Sequence, residues 1–301
     1  MISAAARPAF RLDRLSLSVG AVLLAVTIGA WAFVVNMEMD HDAHLSSMAA
    51  DSMPAEDEAM PATEVHDLGM ESPRDDLRMR LGVSEQMQSW PRAATIAAFL
   101  GGWLAMMAAM MFPAASPMVT MFARSARRRY ARGRSSLLIG IFIAGYLAAW
   151  GLFGLGVYAL NEGVGEASVR WEWVLDSGPY LGGALLIAAG IYQVTWFKQA
   201  CLQKCRSPLS FIMQEWRDGS AGALRMGAKH GLYCLGCCIG LMAGLIVAGV
   251  MSIGWMVTLA VLIFAEKVTR WGPQIARVTA AVMVIAGAAL IVYGEKLPGI
   301  V

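Results

Sequence analysis

Seven apolar stretches constrain this 301-residue chain more than any other feature of its sequence. A transmembrane helix needs about 20 consecutive apolar residues, and several of the stretches reach that length. The composition agrees, because 57% of the residues are hydrophobic and only 15% are charged. We therefore predict an all-α fold, a polytopic transmembrane helical bundle of about seven spans, with six as the alternative. The predicted spans are Leu15–Val35, Ala93–Phe112, Leu137–Leu160, Tyr180–Phe197, Leu232–Met251, Trp255–Ala265 and Ile275–Tyr293.

The basic residues of the chain orient these spans. They concentrate before span one, in the segment "RSARRRYARGR" between spans two and three, and between spans four and five. Because cytoplasmic loops of membrane proteins are enriched in Lys and Arg, we predict a bacterial inner-membrane protein with a cytoplasmic N-terminus. Anionic membrane lipids explain the arginine-rich loop, so we predict membrane lipids as partners and no nucleic-acid partner.

Three regions follow from the charge pattern. Residues 1–36 form the cytoplasmic N-terminus and first transmembrane helix, and residues 93–301 form a helical, metal-binding transmembrane core. Residues 37–92 form an exoplasmic segment, because residues 36–72 hold ten acidic residues and no Lys or Arg. Its Pro, Ala, Ser and acidic content favours partial disorder over a folded domain.

The exoplasmic segment also carries side chains that bind copper. Thioether sulfur suits copper(I), and imidazole with carboxylate suits copper(II). We treat this set as a secondary metal site, and its alternative interpretation is an acidic disordered linker. Its members are Met37, Met39, His41, His44, Met48 and His66.

The stretch "HGLYCLGCC" holds the principal candidate ligands. At about 100° per residue, His230, Cys234, Cys237 and Cys238 share one helical face about 100° wide. They open span five on the predicted cytoplasmic side, where thiols stay reduced and a structural disulfide is not expected. Cys201 and Cys205 follow span four and share a face of their own if that stretch is helical.

Thiolate and imidazole together favour a soft metal. Copper is the metal we predict, with zinc or an iron–sulfur centre as alternatives. A second interpretation needs no metal, since small residues are favoured where membrane helices touch. Cysteine behaves there as a small apolar residue.

Two further features lie close to these cysteines in the predicted topology. Span two carries Met106, Met107, Met110 and Met111 on a helix that we expect to end at Pro113, either as a thioether track for copper(I) or as core packing. Lys198 precedes Cys201 by three residues, and we expect its charge to favour the thiolate. Glu266 and Lys267 mark the predicted end of span six.

Four stretches resemble a bacterial family known as a domain of unknown function, DUF2182, and described as predicted metal-binding integral membrane proteins. They are "WLAMMAAMMFPAASPM", "GYLAAWGLFG", "AGIYQVTWFKQACLQKCRSPLSF" and "GAKHGLYCLGCCIGLM". The resemblance implies metal ligation by the family's cysteine and histidine positions, which correspond here to Cys201, Cys205, His230, Cys234, Cys237 and Cys238.

Three functions remain open on the sequence. The first is copper handling, by uptake, storage or delivery to a membrane or exoplasmic enzyme, with a copper chaperone or metalloenzyme subunits as partners. The second is a subunit of a membrane oxidoreductase or monooxygenase complex with a structural or redox metal. The third is an assembly or scaffold subunit without metal. No catalytic residues are predicted, and the sequence favours a chain that is not an enzyme by itself.

Overall fold

Every regular element of the described residues is a helix, which confirms the predicted all-α fold. The computed structural model describes residues 14–51, 90–170, 178–248 and 253–293. In chain order the helices of this part are α1 (Arg14–Asp51), α2 (Arg92–Arg129), α3 (Arg132–Arg170), α4 (Gly178–Gln193), α5 (Trp196–Arg206), α6 (Pro208–Glu215), α7 (Gly219–Ala248), α8 (Ile253–Val268) and α9 (Gly272–Tyr293).

Five of these helices are long and apolar enough to cross a membrane. They contain the segments Leu17–Met37, Arg92–Arg129, Arg132–Val164, Gly219–Val247 and Gly272–Tyr293. Helices α4 and α5 pass the same criteria only as a pair, bent by 60° at their junction, and would make a sixth span. The predicted span Trp255–Ala265 lies in α8, whose 16 residues reach only about 24 Å. The described residues thus give five or six such spans, against the predicted seven with six as the alternative.

Helix α2 corrects one expectation about the methionine segment. The helix was expected to end at Pro113, but α2 has 38 residues and continues through Pro113 and Pro117 to Arg129. Proline is tolerated within membrane helices where neighbouring groups satisfy the freed backbone atoms. Here the Ser116 hydroxyl donates a 2.8 Å hydrogen bond to the carbonyl of Pro113. Met111 therefore lies near the middle of a long helix and not near its end.

Helix α7 lies centrally in the bundle and contacts α3, α4, α5 and α8. Helix α2 packs on α1, α3, α6 and α8, and α9 packs on α4 and α8.

Glycine residues permit the closest approach between α3 and α7. A Cβ added at Gly145 of α3 would clash with the carbonyl of Leu224 on α7, and one added at Gly231 of α7 would lie 2.8 Å from the carbonyl oxygen of Tyr146.

The predicted exoplasmic segment is described only at its beginning. Helix α1 continues through Met37 to Asp51, and the sulfur of Met37 lies 3.9 Å from the position of a Cβ built on Gly102. Met39 is largely exposed. His66 lies outside the described residues, as do the side chains of His41, His44 and Met48. The three-region division, with its partly disordered segment 37–92, remains a prediction.

A polar contact joins the end of α2 to the start of α7. The Tyr130 hydroxyl donates a 2.7 Å hydrogen bond to the Asp218 carboxylate, and the Trp216 indole donates one of 3.0 Å. Both donors lower the pKa of Asp218 below its ordinary value, and the hydrogen bond from Tyr130 has the larger effect. Gly219 then begins α7 with a φ of +80°, a conformation that glycine adopts without steric cost.

Candidate metal centre

The four predicted ligands of "HGLYCLGCC" are all buried on α7. Cys234, Cys237 and Cys238 are each 1% exposed, and His230 is 3% exposed. The helix that carries them is longer than the predicted span, because α7 starts at Gly219 and the span was predicted to start at Leu232. At 1.5 Å per residue, Cys234 lies about 22 Å along the helix. The cluster therefore lies near the middle of α7, and the predicted opening of span five falls within this helix.

Helix α5 brings one further thiol to this cluster. Thr195 caps α5, accepting a hydrogen bond from the Lys198 amide, and α5 packs against α7. The Sγ atoms of Cys205 and Cys237 come within 3.9 Å of each other. Cys201 faces Gly236 of α7, where an added Cβ would lie 2.8 Å from the Cys201 sulfur. All five cysteines are free thiols.

The separation of 3.9 Å between the Cys205 and Cys237 sulfurs allows a fit test for a shared metal. With metal–sulfur bonds of about 2.3 Å, the sulfur–metal–sulfur angle at an ion bonded to both atoms would be about 115°. That angle lies between tetrahedral and trigonal geometry. These two thiols fit a common soft metal without movement of the backbone.

Two thiols of the cluster donate hydrogen bonds to a backbone carbonyl of α7. Cys237 donates to the carbonyl of Cys234 at 3.1 Å, and Cys238 donates to the same carbonyl at 2.6 Å. Within the described residues, no three His, Cys, Asp or Glu side chains form a ready metal-binding group. A metal with three or more of these ligands would therefore require side-chain rotation.

Two polar residues that the sequence did not assign to the site surround Cys234. The Tyr146 hydroxyl of α3 lies 3.1 Å from its sulfur, and the Lys267 ammonium of α8 lies 3.0 Å from it. An ionisable residue within a membrane segment is costly and usually paired or functional, which is the sequence signal that identifies Lys267. Tyr146 had no comparable signal.

Lys198 is not the cation beside the thiols, contrary to expectation. It is fully buried, forms a 2.7 Å ion pair with Glu266 and donates a hydrogen bond to Gln193. Its ammonium therefore bonds to oxygen atoms and not to sulfur. Through these bonds Lys198 connects the junction of α4 and α5 with α8. Lys267, expected to be only a boundary residue, occupies the position beside the cysteines.

The methionines of α2 form a buried row that reaches the same cation. Met106, Met107, Met110 and Met111 are at most 6% exposed. The sulfur of Met111 lies 3.9 Å from the Lys267 ammonium nitrogen. Met111 thus shares a neighbour with Cys234 and is the α2 residue best placed to join a site there.

His230 lies in an aromatic environment one helical turn before Cys234. Its ring centroid is 5.7 Å from those of Tyr146 and Phe211 and 6.3 Å from that of Phe142. In the described part of the chain, its Nδ1 atom has no hydrogen-bond partner. A buried polar atom without a partner costs free energy, and this nitrogen is therefore available to a ligand.

Comparison with known proteins gives one match. A family model described as "PpoB2: Copper chaperone" matches residues 100–290. No curated protein and no solved structure matches the chain. The matched range includes all five cysteines, His230 and the methionine row. Since the match covers more than half of the chain, this protein belongs to the PpoB2 family of copper chaperones.

Proposed function

We propose that this protein binds copper(I) within a membrane through the cysteine cluster of α5 and α7 and passes it to another copper protein. The observation that supports this most directly is the 3.9 Å approach of the Cys205 and Cys237 sulfurs. Two thiolates from separate helices at this distance fit one soft ion. Membership of a copper chaperone family supports copper as the metal that is carried.

The donor set favours copper(I) over harder ions. Thiolate and thioether sulfur select copper(I), whereas carboxylate and carbonyl oxygen select magnesium, calcium and manganese. Cys205 and Cys237 supply the first two ligands in this proposal. Cys234 and Cys238 follow when rotation frees their sulfurs, and Cys201, His230 and Met111 lie on the elements that surround them.

The location and route are further parts of this proposal. The arginine distribution supports a bacterial inner membrane and a cytoplasmic N-terminus. The segment 37–92 would collect copper on the exoplasmic side, and the methionine row of α2 would pass it inward. In support of this route, Met37 packs at Gly102, and Met106 follows about 6 Å further along α2.

Anaerobic purification of the full chain in gentle detergent, followed by copper(I) loading, tests the proposal. Copper is measured by elemental analysis and its affinity by competition with a chromophoric chelator. We expect Cys205→Ser with Cys237→Ser to lose the tightest binding, because both sulfurs of the preformed pair are removed. Cys201→Ser, whose sulfur faces Gly236, is the matched comparison and should lose less. A wild-type protein that takes up no copper, or a double variant with unchanged affinity, would show the proposal to be wrong.

A further inference from the structure

We propose that Lys267 makes the cysteine cluster prefer a monovalent metal ion over a divalent one. This inference rests on the proposed function, because it concerns selectivity at the same site. Softness alone does not provide this selectivity, since thiolates bind both copper(I) and zinc(II) well. A fixed positive charge beside the ligands does.

Lys267 is buried and is directed at sulfur atoms from two helices. It is 7% exposed, and its nitrogen lies 3.0 Å from the Cys234 sulfur, 3.9 Å from the Met111 sulfur and 4.0 Å from the Cys238 sulfur. The neighbouring carboxylate of Glu266 forms its ion pair with Lys198. The charge of Lys267 therefore acts on the candidate ligands themselves.

A metal bonded to Cys234 would lie close to this charge. With a metal–sulfur bond of about 2.3 Å, the ion would be about 5 Å or less from the ammonium nitrogen. The repulsion between ammonium and metal is proportional to the metal's charge, so a divalent ion meets twice the repulsion of a monovalent one. At an effective dielectric constant of about 20, the second unit of charge lowers the binding constant by a factor on the order of 100.

The difference in repulsion between the two metals is the same for any fixed number of thiolate ligands. Attraction between Lys267 and the thiolates is the same for both metals and cancels in the ratio of their binding constants. Loss of packing or of local structure also weakens both metals together. The ratio of copper(I) to zinc(II) affinity therefore reports the charge of Lys267 separately from its structural role.

The test measures both affinities on the full-length protein in detergent, by competition with chelators specific for each ion. Lys267→Met removes the charge while keeping much of the side-chain volume, and Lys267→Gln repeats the removal with a shorter, polar side chain. Lys267→Arg keeps the charge. Lys229→Met is the matched control, because Lys229 pairs with Glu215 at 2.7 Å and has no part in the proposed binding set.

We expect both neutral variants to lower the copper(I)-to-zinc(II) ratio about 100-fold, while Lys267→Arg and Lys229→Met retain it. A change of less than about threefold in the neutral variants, or an equal loss of both metals, would overturn the inference. If one neutral variant does not fold, the other decides the test. An error in the proposed function would give a different result from an error in this inference, because the wild-type protein itself would then bind no copper(I).

Discussion

The close approach of α3 to α7 at Gly145 can be tested by adding one methyl group. In Gly145→Ala the new Cβ would clash with the carbonyl oxygen of Leu224 and lie 3.0 Å from the amide nitrogen of Ala228. Backbone atoms of a helix cannot rotate away as a side chain can. Ordinary contacts between heavy atoms lie at about 3.5–4.0 Å, so relieving the Ala228 contact alone requires a separation of about 0.5–1 Å, and the Leu224 contact requires more.

The size of the effect follows from comparison with Gly140 on the same helix. Gly140 is exposed and has nothing within 4 Å of its Cβ position. Replacing glycine by alanine within a helix stabilises both variants by about 1 kcal/mol. The difference in unfolding free energy between the two variants therefore gives the cost of overpacking. Inserting a methyl group into a packed interior costs about 1–3 kcal/mol. The backbone contacts place Gly145→Ala in the upper part of that range.

Thermal unfolding in detergent, followed by tryptophan fluorescence, measures this difference. We expect Gly145→Ala to unfold at a lower temperature than the wild type and Gly140→Ala to unfold at the same or a higher one. Equal unfolding temperatures for the two alanine variants would refute the proposed backbone contact.

Three further perturbations address other parts of the molecule. Since the pKa of Asp218 is lowered in the folded protein, its stabilising contribution is present above the ordinary aspartate range and is lost as pH falls through the lowered value. Below about pH 4 the wild type should therefore lose more thermal stability than Asp218→Asn, and equal losses would contradict this. Met111→Leu should weaken copper(I) binding in chelator competition while Met107→Leu, equally buried on the same helix, should not; equal effects would exclude Met111 as a ligand. Lys198→Met should cost about 3–5 kcal/mol of stability, because it leaves Glu266 buried without its cation, and adding Glu266→Leu should restore much of it in the same unfolding measurement.

The helical face of the cysteines could be predicted from sequence because helix geometry is local. A spacing of three and four residues places Cys234, Cys237 and Cys238 on one side of any regular α-helix. In the structure that side is buried, and each of the three thiols is 1% exposed. The approach of Cys205 could only be suggested, since it depends on how α5 docks against α7.

Helix ends and charge partners were harder to predict, for physical reasons. Proline usually ends helices in water, but α2 continues through Pro113 because a packed membrane helix tolerates the lost hydrogen bond. In the sequence, Lys198 is close to a cysteine, whereas Lys267 is far from every cysteine. A lysine side chain is nevertheless directed by the acceptors around it, and Glu266 provides the oxygen that holds Lys198.

The proposed transfer of copper to a partner makes use of the differences in exposure among the thiols. Cys205 is partly exposed, whereas Cys201, Cys234, Cys237 and Cys238 are buried. Cys205 also lies on α5, which joins α4 at a 60° bend, while the three buried thiols of the cluster lie on the long central helix α7. An ion delivered to the cluster by the methionine row would therefore leave it from Cys237 to Cys205, at the 3.9 Å sulfur–sulfur approach. Transfer to a partner requires this order, because a receiving protein can contact only a ligand that is exposed. A buried group of thiols beside one partly exposed thiol on a separate short helix suits transfer better than permanent storage.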